Sequence, residues 1–125
     1  MTPNITPELI DSKLILSGIH LDLTDALKST VRDKVARLLR HEPRIIRIRI
    51  DIEHDRTRDH NSAFVAKGHI EVGGPDILAS VASEDAYKSI DTLMDKLDGA
   101  LRRRHSEHRE KRHSTHGVGE PEPAE

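Results

Sequence analysis

Residues 45–53 read IIRIRIDIE, and this stretch decides the fold. Ile46, Ile48, Ile50 and Ile52 alternate with Arg47, Arg49, Asp51 and Glu53. A period of two is that of a β-strand with one face buried and the other wet. Working upstream, Pro43 ends a helix of roughly residues 25–41, which Thr24 caps and which carries Leu27, Val31, Val35, Leu38 and Leu39 at helical spacing. Ahead of it LILSGIHLDL is strand-like from Leu14 to about His20. Downstream, the polar run HDRTRDHN is a hairpin loop, after which Phe64, Ala66, Gly68, Ile70 and Val72 share one parity against Lys67, His69 and Glu71. GGPD makes a turn, ILASVA a fourth strand, and Ser83 or Glu84 opens a second helix. The order β-α-β-β-β-α predicts an α+β fold: a four-stranded sheet with two helices packed on one face and the other face left open.

Composition excludes several functions. The chain of 125 residues has no cysteine, so disulfides, thiolate metal sites and a Cys nucleophile are ruled out, which suits a reducing cytoplasm. No apolar run approaches the roughly 18 residues of a membrane span, and the N-terminus lacks the apolar stretch of a secretory signal. A cytoplasmic protein is expected. The net charge of −2 hides an asymmetry: residues 13–112 hold all 20 Lys and Arg but 17 of the 22 acids, a net of +3. Residues 1–12 hold two prolines without clear periodicity, and 114–125 are rich in Pro, Gly and Glu. The expected organisation is a flexible extension over 1–12, one α+β domain over 13–113 and a disordered acidic tail over 114–125.

The second helix changes character halfway. From Asp85 to Asp98 it carries four Asp against two Lys, whereas Gly99 to His113 carries six Lys or Arg against two Glu. Its apolar stripe is Ala86, Ile90, Leu93, Leu97, Ala100 and Leu101, and the next stripe positions hold Arg104 and His108. The helix therefore outruns its core. Macrodipole preference for cations fades within one turn, so it does not account for three basic turns. The basic half, together with Lys28, Arg32, Lys34, Arg37 and Arg40 of the first helix, reads as an electrostatic grip on phosphate. Phe64 and Tyr87 are the only Phe, Tyr or Trp, which argues against recognition by base stacking and for a folded RNA gripped through its backbone.

Other constellations weigh less. His105-x-x-His108 and His113-x-x-His116 have helical spacing but no supporting ligands, and read as extra donors on a cationic surface; no metal or cofactor is expected. Asp91 and Asp95 lie one turn apart and read as surface partners for nearby cations, Asp95 above all, in preference to a catalytic carboxylate pair. No nucleophile elbow, phosphate loop or HExxH motif occurs, so an enzyme is not expected.

Three collinear segments carry a family likeness. DAYKSIDTLMDKL resembles the signature of the ribosome hibernation promoting factor and ribosome-associated inhibitor family in its short form. LILSGIHLDLTDALKSTVRDKVARL resembles that family's strand-helix opening, and GGPDILASVASEDAY its approach to the second helix. The arrangement also resembles that of double-stranded-RNA-binding domains. The likeness implies a non-enzymatic factor of stress and stationary phase. Such a factor binds small-subunit rRNA and the intact ribosome in the channel used by mRNA and tRNA, blocks translation and preserves idle ribosomes. It implies basic contacts at Lys34, Arg37, Lys96 and Arg103, to which the neighbouring Lys88, Arg102, Arg104 and Arg109 are added as rRNA-binding candidates. Gly99 departs from the pattern, since many relatives place Arg there, and Gly in a helix costs roughly 1 kcal/mol relative to Ala. Tyr87 belongs to the motif, with packing at the sheet edge and contact with RNA both open to it. Long family members continue into a second, dimerising domain where this chain ends, so a monomer that does not pair ribosomes unaided is expected. The alternatives are a protein-interaction module, a binder of structured RNA in general, and a His-dependent metal carrier.

Overall fold

The computed structural model describes residues 5–116, with side chains through Arg104. Its elements are α1 (Pro7–Lys13), β1 (Leu14–Ile19), α2 (Asp25–His41), β2 (Arg47–His54), β3 (Phe64–Glu71), β4 (Ile77–Ser83) and α3 (Ala86–His116), with a single 3-10 turn at His60–Ser62. The strands form one sheet in the order β1-β2-β3-β4. The first pair is parallel and the other two antiparallel. A parallel pair needs a crossover, which α2 supplies, whereas β2 to β4 are joined as hairpins.

Alternation in β2 sets the two faces. Ile48, Ile50 and Ile52 are fully buried beneath the helices, and across the register Ala66, Gly68 and Ile70 of β3 are buried beside them. Leu27, Val31, Val35, Leu38 and Leu39 of α2 and Ala86, Ile90, Leu93, Met94, Leu97 and Leu101 of α3 close the core from above. α3 packs closely over Gly68: a Cβ there would stand 2.8 Å from Cδ1 of Leu97. Only glycine admits that approach without a shift. Gly73 and Gly74, with φ of +83° and +84°, make the β3–β4 turn. The hydroxyl of the fully buried Ser89 is satisfied, bonding the Phe64 carbonyl at 2.8 Å and the Ser83 hydroxyl at 2.7 Å.

Four boundaries differ from the sequence reading, each for a local reason. Pro7–Lys13 is helical instead of part of a flexible extension. The Thr6 hydroxyl accepts from Leu9 N at 3.1 Å, and a proline follows at the first helical position, where its missing N–H costs nothing. Ile10 enters the core, Asp11 pairs with Arg32 of α2, and Lys13 Nζ donates to the Ile45 carbonyl at 2.5 Å. Ile46 does not share the buried face of β2: it is 54% exposed and Ile45, at 1%, is buried instead. The paired strand starts only at Arg47, with Ile46 N donating to the Glu71 carbonyl at 2.7 Å ahead of it, and the alternation does not reach back that far. Ser83 closes β4, and α3 starts at Ala86 with the Asp85 carboxylate accepting from Lys88 N at 3.0 Å. At its other end α3 runs through His116, past the expected end at 113. Residues 1–4, the acidic segment 117–125 and the side chains of Arg109, His105, His108, His113 and His116 lie outside what is described.

Candidate nucleic-acid interface

Charge separates the two faces of the molecule. The four strands together carry three Lys or Arg and three Asp or Glu, and their open face pairs Arg47 opposite Glu71 and Asp51 opposite Lys67. His69 Nε2 lies 2.7 Å from Asp76 Oδ2 on the same side. By contrast, α2 and the described part of α3, residues 86–104, carry ten Lys or Arg against five Asp. The helix layer is therefore the cationic face, and a polyanion would be drawn to it over the self-neutralised sheet.

Within that layer the sequence-predicted cations fall into three groups. Lys96 and Arg103 stand two turns apart on α3 and line a shallow groove together with Asp95, Gly99 and Ala100 of the same helix and Leu78 and Ala79 of β4. Arg37 is exposed on α2, with Arg40 one turn further on. None of these four is ion-paired among the described residues. A second group is held by carboxylates: Lys34 Nζ is 2.6 Å from Asp91 Oδ1, Arg102 Nη2 is 2.6 Å from Asp98 Oδ2, and Lys88 Nζ is 3.1 Å from Glu84 Oε2. Glu84 is held below the usual carboxylate range by a hydrogen bond from its own backbone N–H and then by Lys88. Arg104 stands alone as the third, because its half-buried guanidinium donates to the Pro75 carbonyl and pins the β3–β4 turn. Asp91 thus pairs across to α2, and Asp98 is the busier acid, with His41 Nδ1 3.7 Å away; Asp95 forms no ion pair among the described residues. The i,i+4 spacing of Asp98 and Arg102 was available in the sequence, whereas Lys34 with Asp91 depends on how two helices pack. Tyr87 stays exposed on the first turn of α3.

A family model described as "Sigma 54 modulation protein / S30EA ribosomal protein" matches residues 14–109, which takes in every strand, α2 and most of α3. The chain belongs to this family. It is a family of ribosome-associated hibernation factors, not of enzymes. A ribosome hibernation promoting factor of Azotobacter vinelandii is 36% identical over 86 residues, covering 69% of this chain and 76% of that protein. The factor of the same name from Escherichia coli K12 is 29% identical over 85 residues, 68% of this chain and 84% of its own. Two solved structures share the fold. A ribosomal subunit interface protein from Coxiella burnetii superposes with a TM-score of 0.66 at 23% identity, covering 75% of this chain and 98% of that one. The N-terminal domain of Thermus thermophilus Protein Y gives 0.59 at 24%, covering 70% and 92%. The S30EA match begins at Leu14, so α1 precedes it. Among the described residues no helix is long and apolar enough to cross a membrane, and no group of three His, Cys, Asp or Glu is placed to hold a metal.

Gly99 lines the groove between Lys96 and Arg103. Arg103 folds back over it, with Nη1 3.6 Å from where a Cβ would stand, an ordinary van der Waals distance. Gly99→Ala is therefore accommodated without moving the guanidinium, and the gain in helix propensity raises stability by about 1 kcal/mol. For a domain of this size that is a rise in Tm of about 4 °C in a thermal melt. An unchanged or lowered Tm would show that Arg103 is held against the bare backbone.

Proposed function

We propose that this protein binds the small ribosomal subunit through rRNA in the mRNA and tRNA channel, as a monomer in the cytoplasm, blocking translation and stabilising idle ribosomes. Membership of the S30EA family and the likeness to ribosome hibernation promoting factors support the reading. The observation that carries it is the overhang of α3. Leu101 is the last buried residue among those whose side chains are described, and the helix continues to His116, 15 residues or about 22 Å further. Residues 102–116 hold six Lys or Arg and no large hydrophobe, a composition that suits a charged partner and not a core. The contacts proposed are Lys96, Arg103 and Arg37 first, with Arg109 on the overhang and Lys34, Lys88 and Arg102 secondary because carboxylates already hold them.

Co-sedimentation with purified small subunits, large subunits and intact ribosomes over a salt series tests this. Six to eight phosphate contacts give a slope of log affinity against log salt of about −4 to −7. Binding is expected to the small subunit and the intact ribosome, with that steep slope. Equal binding to the large subunit, or a flat salt response, would overturn the proposal.

A further inference from the structure

The helix layer is cationic in two flanks and neutral in the seam between them. On one flank lie Arg37 and Arg40 of α2, on the other Lys96 and Arg103 of α3 beside the β4 edge, where two cations outnumber the one acid, Asp95. In the seam, Lys34 meets Asp91 at 2.6 Å, Arg102 meets Asp98 at 2.6 Å, and His41 approaches Asp98 to 3.7 Å. Were the seam unpaired, the cations would run in one strip from α2 across to α3. Such a strip grips any polyanion, since phosphate neutralisation carries no sequence or shape information. A surface divided by a neutral seam discriminates better: it rewards a folded RNA that presents phosphates at two places, separated by at least the ~8–10 Å between packed helix axes.

We infer that Asp91 and Asp98 are specificity-determining residues, which hold Lys34 and Arg102 in ion pairs and so lower affinity for structured RNA in general while leaving ribosome binding to the two flanks. This rests on the reading of the helix layer as the phosphate-binding face. The geometry suits the role. Both acids are on α3, seven residues apart, and therefore on one side of the helix, the side facing α2. Asp98 is the less exposed of the two, with 23% of its side chain accessible, and so is screened less by water and salt. Exposed ion pairs are weak, so the seam is a bias that a strong competitor could override.

The experiment compares wild type with Asp91→Asn plus Asp98→Asn, a change that keeps side-chain size and removes only charge. The ligands are an unrelated duplex RNA and purified small subunits, each at two salt concentrations. Freeing two cations should tighten duplex binding about 3- to 10-fold at ~0.05 M salt and steepen its salt slope by ~1–2. Small-subunit affinity should rise less than about twofold, since the primary contacts on the flanks are untouched and Lys34 and Arg102 are only secondary there. Adding Lys34→Gln to the double variant should take back part of the duplex gain, which a general loosening of the fold would not do. Equal duplex affinity for wild type and the double variant would overturn the inference while leaving the ribosome reading intact. Failure of wild type to bind small subunits would instead overturn the ribosome reading, and the duplex comparison would still decide the role of the acids.

Discussion

Replacing Lys96 and Arg103 together by Ala is expected to weaken small-subunit binding about 10- to 100-fold at ~0.1 M salt, and to make the salt slope shallower by about two. The two side chains stand at i and i+7 on α3, one above the other, bordering the same groove. Each offers its charge without an ion-paired acid among the described residues, so removing either one takes a cation away from the phosphate backbone. Thermal stability should not move, because both lie off the apolar stripe of Ile90, Leu93, Leu97 and Leu101. Arg102→Ala is the internal control. Its guanidinium is already engaged by Asp98, so its removal should cost a factor of about three or less. Binding curves for the two variants beside wild type decide the matter, and a larger loss from Arg102 than from the Lys96 and Arg103 pair would reverse the assignment of flank and seam.

Leu97→Ala should produce the largest loss of stability among single changes on α3. Leu97 is fully buried and rests on the bare backbone of Gly68. At that point β3 offers no side chain to fill the space left behind, and the neighbouring Leu93 is itself fully buried. The cost should be about 3 kcal/mol, transfer and cavity terms together. In a melt followed by circular dichroism this is a fall in Tm of at least ~10 °C. The overhang beyond Leu101 depends on this seat for its direction, so ribosome affinity should fall as well. A loss below about 1 kcal/mol would mean that α3 is not anchored at this contact.

How much of this could be read from the sequence depends on whether a feature is local. The helix Asp25–His41 was legible to its ends because Thr24 caps it and five apolar residues keep its period. The strands were legible because Ile48, Ile50 and Ile52 alternate with charge. Periodicity misleads where it runs past its element, as at Ile46, whose neighbour Ile45 takes the buried place. The helix Pro7–Lys13 was missed because prolines at positions 3 and 7 read as breakers, although Thr6-Pro7 is a good helix start and Ile10 supplies the anchor. At the candidate site the sequence marks which residues are cationic but not which are already paired. The partner of Lys34 is 57 positions away, on another helix, and Arg104 is drawn to the Pro75 carbonyl by the path of the β3–β4 turn. Only packing reveals such partners.

In the proposed complex the α2 and α3 face, and not the open sheet, lies against rRNA. The most direct test is an electron cryomicroscopy reconstruction of the protein bound to the small subunit. The account predicts rRNA phosphates within hydrogen-bonding reach of Lys96, Arg103 and Arg37 in the mRNA and tRNA channel, with Arg49 and Lys67 of the sheet turned away from them. A reconstruction with the sheet face on the rRNA and the two helices toward solvent would contradict it.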